Sequence, residues 1–481
     1  MKKFHHYITI FASTTLLLSA CSVGKKYTRQ EIAMPENFKN SEVVLTSDTL
    51  QLSWRKFVQD PLLTSLIEKA LSNNTDVNVA LLNMQQLELA YKQSKKGLLP
   101  TADLSIGANR TWLSSNSLNG SLSDQFIGTP YMDDYSATLR LSWEADIWGK
   151  VKMQKEESLG NFFGQKENLS ALKTRVIVQV IQSYYNLIAL DEQLKIAQRN
   201  VQLSDSTLNM IRLQYNSSLV SSLAVEQAEA QKKTAELLIP LARQNMAVEE
   251  NALSILCGGF PEGIQRTASL DDMIVVDGLA TGVPAELLSR RPDVRAAEYA
   301  VVAATSRMGL AKAAMYPSLS LTPSIGTNSI QFNKWFDLPG SIVKTIAGNI
   351  AQPIFQKGAL KTNYEISVIE REKIALQFKQ SVMVAVSEVS DALAKIKHTE
   401  QRLQLIHAKS NALAKATADA ALLYKSGMAN YLEVITAQNN ALQNDLEWIT
   451  VKREKLNAAI DLYRALGGGT TDQTTYSTYI K

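Results

Sequence analysis

"TADLSIGANRTW" (residues 101–112) and "DYSATLRLSWE" (134–144) decide how this chain folds. In the first, Leu104, Ile106, Ala108 and Trp112 alternate with Asp103, Ser105, Gly107, Asn109 and Thr111. In the second, Tyr135, Ala137, Leu139, Leu141 and Trp143 alternate with Ser136, Thr138, Arg140, Ser142 and Glu144. Period two over ~10 residues, with one apolar face, one small polar face and the rim aromatics Trp112 and Trp143, is the pattern of membrane barrel strands. A soluble sandwich also alternates, but it does not ask for tryptophans at the ends of the apolar face. A second pair is expected at about 317–328 and 341–352, where "SLSLTPSIGTN" alternates and "SIVKTIAGNIA" keeps Ile346 and Ile350 outward but includes Lys344. Arg110 is the matching irregularity in the first pair, and either cation can snorkel to the headgroups. Four strands cannot close a barrel, because each open backbone group in hydrocarbon costs several kcal/mol. The chain must therefore oligomerise, two copies giving eight strands and three giving twelve.

Outward from the strands the sequence repeats itself. "NTDVNVALLNMQQLELAYKQSKKGLLP" (74–100) answers to "RPDVRAAEYAVVAATSRMGLAKAAMYP" (291–317), with Asp76 over Asp293 and Pro100 over Pro317. "ADIWGK" (145–150) answers to "QPIFQKG" (352–358), and "YNSSLVSSLAVEQAEAQ" (215–231) to "YKSGMANYLEVITAQNN" (424–440). Each half reads helix, strand pair, long helix, interrupted phrase, helix. The first repeat spans 61–268, with long helices at about 150–258; the second spans 269–466, with long helices at about 357–466; a tail follows at 467–481.

Within the long helices, Val180, Tyr184, Leu187, Leu194, Val201, Leu208, Ile211 and Tyr215 step by three, four or seven, as do Val382, Val386, Val389, Leu393, Ile396 and Leu403. Such heptad-like seams require partner helices. A continuous helix over 150–215 would span ~100 Å. Pro240 is expected to end or kink the returning helix of the first half. Gly427 supplies the positive φ for a reversal at the interrupted phrase. Its counterpart is Ser218, so the first turn is expected to use another residue or a wider bend.

The N-terminus sets the compartment. "MKKFHH" is a basic leader, "YITIFASTTLLL" an apolar run too short to span, and "LSAC" presents small residues before Cys21. Residues 1–20 read as a lipoprotein signal peptide and 21–60 as a lipidated N-terminal segment, with diacylglyceryl and N-acyl groups on Cys21. The other cysteine, Cys257, is expected to fill an apolar gap.

With 481 residues and a net charge of +4, the chain is not basic enough to suggest nucleic acid. Chemistry finds no foothold either. His398 and His407 are nine apart, not the i, i+4 pair of a helical zinc site, and Ser341 and Lys344 have Ser-x-x-Lys spacing in a barrel strand without companion motifs. We assign no catalytic residue, no metal ligand and no cofactor beyond the lipid. The charges of "SRRPDVRAAE" (Arg290, Arg291, Asp293, Arg295, Glu298) read as a helix start, with Pro292 in the first turn, Asp293 at the positive end and the arginines as inter-segment or solvent partners.

"LSAC", "WEADIWGK", "NALSILCG", "VPAELLSRRPDVRAAE", "AAMYPSLSL" and "YKSGMANYLEVITAQ", in that order, resemble the TolC-type outer-membrane efflux channels, and more closely their OprM-like lipoprotein branch. The resemblance implies a mainly α fold with a membrane β-barrel. Three copies would close one twelve-stranded barrel above a tunnel of long helical hairpins. Residues 22–60, 259–290 and 467–481 would form an equatorial belt. The implied homotrimer is a passive channel in the outer membrane, docked on a periplasmic membrane-fusion adaptor and an inner-membrane pump of the resistance-nodulation-division type. The interrupted phrases would form the closed periplasmic tip. There the family carries two rings of acids, for which this chain has Glu433 and Thr436. Some members lock the tip with an aspartate, an arginine and a tyrosine, for which it has Ala224, Ala429 and Tyr424. Closure is therefore expected to rest on packing and hydrogen bonds around Tyr424, Tyr215, Ser221, Ser222, Asn430 and the Gly427 turn.

Two other readings share these residues. The fold could serve type I protein secretion or metal-cation efflux, or the chain could be a lipid-anchored periplasmic coiled-coil scaffold with a small soluble β-domain. An anchored cell-wall enzyme has no residue constellation to support it.

Overall fold

The computed structural model describes residues 54–114, 131–270 and 291–468, with short pieces at 23–24, 27–29, 32–35, 37–39, 116–119, 129 and 273. The signal peptide, Cys21, Arg290 and residues 469–481 lie outside the described residues. The chain divides into two compact units, one holding residues 85–163 and 298–376, the other 31–84, 164–297 and 377–481.

The first unit contains a four-stranded antiparallel sheet of β1 (Thr101–Trp112), β2 (Tyr131–Ala145), β3 (Ser318–Ser329) and β4 (Ile342–Ala351), in that order. Cross-strand partners share a face, so the register sorts every side chain. Leu104 lies opposite Leu139, which lies opposite Ile325, which lies opposite Lys344. The same face carries Ile106, Trp112, Leu141, Trp143, Leu321, Ile346 and Ile350, while Ser105, Asn109, Thr138, Ser320, Ser324 and Thr345 occupy the other. Both edge strands are solvent-open along nearly their whole length, and neither β1 nor β4 has an outer neighbour among the described residues.

Arg110 does not snorkel alone. It faces Asp133 across the β1–β2 pair and grips it with two bonds, Nε to Oδ1 at 2.6 Å and Nη2 to Oδ2 at 2.8 Å. Tyr131 lies 4.0 Å beneath the guanidinium, and the Tyr135 hydroxyl donates to Asp133 at 3.2 Å. This also explains why β2 begins at Tyr131, three residues before the alternation suggests: Asp133 breaks the apolar pattern but is neutralised by its cross-strand partner. Trp112 closes the end of β1 against Tyr131, while Trp143 at the opposite rim donates its indole N–H to Leu98 O at 2.9 Å.

The helices are α1 (Trp54–Phe57), α2 (Pro61–Asn73), α3 (Thr75–Ser94), α4 (Lys150–Asn216), α5 (Ser222–Leu256), α6 (Pro292–Ala313), α7 (Ala359–Lys425) and α8 (Tyr431–Ala465). Both α4 and α7 have 67 residues, and both α5 and α8 have 35. Pro240 lies inside α5, which continues through it. The surrounding helix therefore absorbs the missing N–H and no break results.

In the second unit the apolar seam of α4 becomes a core. Tyr184, Ile181, Leu187 and Ile188 pack with Leu63 and Ile67 of α2, Leu253 of α5 and Ile449, Leu456 and Ile460 of α8. Cys257 is buried in the same core as a free thiol. Gly258 beside it has φ +71°, and a Cβ there would meet Asn73 O at 2.4 Å, so no other residue fits.

Positive φ recurs in step with the repeat. Gly149 matches Gly358, Ser218 matches Gly427 and Gly258 matches Gly467, each pair 209 positions apart. Strands β1 and β3 start 217 positions apart instead. The change of offset falls in the two hairpin loops, since the first is the longer.

Candidate functional site

The two interrupted phrases become two turns of the same form. Ser218 N–H reaches Tyr215 O at 2.9 Å and Leu219 N–H reaches Gln214 O at 2.8 Å; Gly427 N–H reaches Tyr424 O at 3.1 Å and Met428 N–H reaches Leu423 O at 2.9 Å. These are paired closing bonds around a left-handed residue at a helix C-terminus. Ser218 itself takes φ 59°. The expectation of another residue or a wider bend is therefore corrected: serine accepts the conformation, at a cost of ~1–2 kcal/mol, because the closing bonds compensate it.

Leu208 and Ile211 of α4, Ala224 and Ala228 of α5, Tyr424 of α7, and Val434 and Ile435 of α8 form one buried cluster that joins the two hairpins near these turns. The Tyr424 hydroxyl donates to Gln214 Oε1, and the Tyr431 hydroxyl to Gln227 Oε1. Burial, then the neighbouring Tyr431, raises the Tyr424 phenol above its ordinary value, so it stays a donor. Further along, Gln438 Nε2 donates to Thr207 Oγ1 at 3.0 Å between buried side chains, and the amides of Gln231 and Asn439 pair with each other.

Asn430 caps α8, accepting from Glu433 N–H at 3.1 Å. Glu433 sits in the first turn of that helix with its side chain exposed. Together with Thr436, Asn430, Leu432, Ala437 and Asn440, it lines an open groove of about 440 Å³. Ser221 precedes α5 as its cap residue but makes no capping bond with its side chain, and Ser222 and Tyr215 are exposed. Ala224, in the place of the family's locking aspartate, has no exposed surface at all, and Ala429 packs against the same cluster.

The glutamines escaped the sequence reading. Gln214 and Gln227 sit on helical patterns that mark them as solvated, and nothing in their spacing announces a tyrosine more than 200 residues away.

The charged phrase is structural. Pro292 opens α6, and Arg291, 3% exposed, binds Asp293 at 2.6 Å, Glu388 at 2.7 Å and Ala465 O at 3.2 Å. Arg464 reaches the other oxygen of Glu388 at 2.9 Å. Burial alone would raise the Asp293 carboxyl, but the bond and charge of Arg291 outweigh it and hold it below the usual carboxylate range.

A barrel-like sheet with open edges, a duplicated pair of 67- and 35-residue helices and matched turns fit a known family. The profile described as outer membrane efflux protein matches residues 66–259 and 283–468. The chain belongs to the outer membrane efflux protein family. Among its relatives, this outer membrane efflux protein is 28% identical over 480 residues to the toluene efflux pump outer membrane protein TtgF of Pseudomonas putida, covering 96% of this chain and 97% of TtgF. It is 28% identical to the probable outer membrane lipoprotein SilC of Salmonella typhimurium, covering 95% and 97%. It is also 28% identical to the cation efflux system protein CusC of Escherichia coli, covering 94% and 97%. A crystal structure of CusC superposes with a TM-score of 0.83 over 93% of this chain and all of that one, at 27% identity. The protein is thus an efflux channel of the outer membrane, and the reading as a periplasmic scaffold with a soluble β-domain is set aside.

Proposed function

We propose that this outer membrane efflux protein is the passive outer conduit of a tripartite pump that exports small toxic molecules such as drugs and detergent-like compounds. A homotrimer closes twelve strands into one barrel, and diacylglyceryl and N-acyl groups on Cys21 anchor it. A periplasmic adaptor and an inner-membrane resistance-nodulation-division pump deliver the substrate and the energy. The tip is held shut by the Tyr424 cluster, and Glu433 rings the constriction.

One observation carries this reading: a four-stranded sheet with one apolar face, one polar face and two unpaired edges. In lipid such edges have to be satisfied by further copies. The name of TtgF, a toluene efflux component, agrees with small hydrophobic cargo.

Two measurements test it. The purified protein should form ion-conducting pores in planar bilayers. Deleting its gene should sensitise the host to antibiotics and solvents, with the wild-type gene restoring resistance. No conductance, or unchanged susceptibility to every compound class, would refute the proposal. The CusC likeness supports a second reading, metal-cation efflux, in which the deletion sensitises cells to copper or silver and leaves drug susceptibility unchanged.

A further inference from the structure

The repeat determines how one copy meets the next. Thr101 pairs with Ser142 in the first hairpin and Ser318 with Ala351 in the second. These are the same pair shifted by the two repeat offsets, so the hairpins share one register. Between them, Tyr135 pairs with Ser329, Leu139 with Ile325 and Trp143 with Leu321. Strand β4 corresponds to β2, and the β1 of a second copy corresponds to β3.

We propose that β4 of one copy pairs antiparallel with β1 of the next in the register the repeat dictates: Lys344 opposite Trp112, Ile346 opposite Arg110, Gly348 opposite Ala108 and Ile350 opposite Ile106. The proposal deepens the oligomeric barrel reading and rests on it. Each of these pairs sets a lipid-facing residue beside a lipid-facing residue, which a slip of one position would not. The seam also covers what the single chain leaves open. Ile346, Ile350 and Ile354 are 82%, 72% and 93% exposed, and Ile354 comes opposite Ala102. Lys344 meets the Trp112 ring at the outer rim, as Arg110 meets Tyr131 within the chain at 4.0 Å. A lone cation on the lipid face thereby gains an aromatic partner at headgroup level.

The register also fixes the barrel's slant. Moving sideways from Leu104 through Leu139, Ile325 and Lys344 arrives at Trp112 of the next copy, eight residues along β1. With ~3.3 Å per residue and ~4.8 Å between strands, eight residues over four strands tilt the strands by ~54°, whatever the number of copies. At that tilt a twelve-residue β1 rises ~23 Å, close to the ~25 Å apolar band of outer-membrane barrels. Three copies give a backbone diameter of ~32 Å.

Cysteine pairs test the register in the full-length protein in its membrane, on a Cys257→Ser background. Gly348→Cys with Ala108→Cys probes the lipid face and Asn349→Cys with Gly107→Cys the lumen face. Gly348 has no atom within 4 Å of an added Cβ, and at Gly107 the nearest is Ser136 Oγ at 3.5 Å, so both substitutions fit. After oxidation, both pairs should give covalent trimers on non-reducing gels. The shifted pairs Gly348→Cys/Ile106→Cys and Gly348→Cys/Arg110→Cys, ~7–8 Å apart, should fall to background. Faster bridging of a shifted pair would overturn the register and leave the oligomer standing. No bridging by any pair, with monomers in detergent, would overturn both. As a second readout, a bimane label on Lys344→Cys should be quenched by Trp112 and released by Trp112→Phe; equal fluorescence in the two backgrounds would overturn the register.

Discussion

Ser218 and Gly427 hold the same left-handed backbone, φ 59° and φ 74°, at equivalent points of two turns. One has a Cβ and the other does not, so the two turns differ in strain. Ser218→Gly should stabilise its turn by ~0.5–1 kcal/mol, the relief of the left-handed cost less the extra chain entropy of glycine. Gly427→Ala should destabilise the other by about 1 kcal/mol, and Gly427→Val by more. Hydrogen exchange at Leu219 and Met428, the amides that close the turns, should slow in the first case and speed up in the second.

Tyr424→Phe removes the hydroxyl that holds Gln214. The expected loss is ~0.5–1.5 kcal/mol at the tip, visible as a higher open probability in planar bilayers. A double-mutant cycle with Gln214→Ala should show coupling of ~1 kcal/mol; additive effects would mean that the bond does not hold the tip.

Restoring the family's aspartate should fail. Ala224 is wholly buried against Tyr424 and Val434, so Ala224→Asp places a carboxylate in an apolar cluster. The cost should reach ~3 kcal/mol or more, and the tip should leak rather than lock, even when Ala429→Arg is added. Lower conductance of the double variant than of wild type would contradict this.

Glu433→Gln should weaken cation preference in reversal-potential measurements, because three carboxylates would line the groove shared with Thr436. The same change removes an acid from the first turn of α8 and should cost ~0.3–1 kcal/mol of helix stability. Loss of stability with unchanged selectivity would leave Glu433 as a dipole partner alone.

The Arg291 cluster predicts sensitivity to acid. The Asp293 carboxyl is held below its unfolded value of ~3.9, so its stabilisation is complete above that pH and fades as pH falls through the folded pKa. Thermal unfolding followed from pH 7 to pH 3 should show a loss below ~pH 4 that is smaller in Asp293→Asn.

Much of this architecture was legible before any coordinates. Strand alternation separated Leu104, Leu139 and Ile325 from Ser105, Thr138 and Ser324, because sheet geometry has a fixed period that side chains must obey. The repeat was legible because duplicated turns need duplicated chemistry. What escaped was pairwise. Arg110 and Asp133 each looked like a flaw in its own strand and cancel only once register brings them face to face. The glutamine partners of Tyr424 and Tyr431 have no periodic signature. Ser218 misled because its sequence gives no sign that the closing bonds would offset its strain, and Pro240 because a 35-residue helix can lose one hydrogen bond and continue.

The equal lengths of α4 and α7, and of α5 and α8, imply where the gene can tolerate insertions. One residue added within α4 would rotate everything beyond it by ~100° and advance it ~1.5 Å, dragging the Ser218 turn out of step with the Gly427 turn. The hairpin loops answer to no such count, and already differ between the two repeats. An epitope tag placed in the loop after Trp112 should therefore be accepted at the cell surface, whereas a single alanine inserted near Leu208 should cost the channel its closed tip.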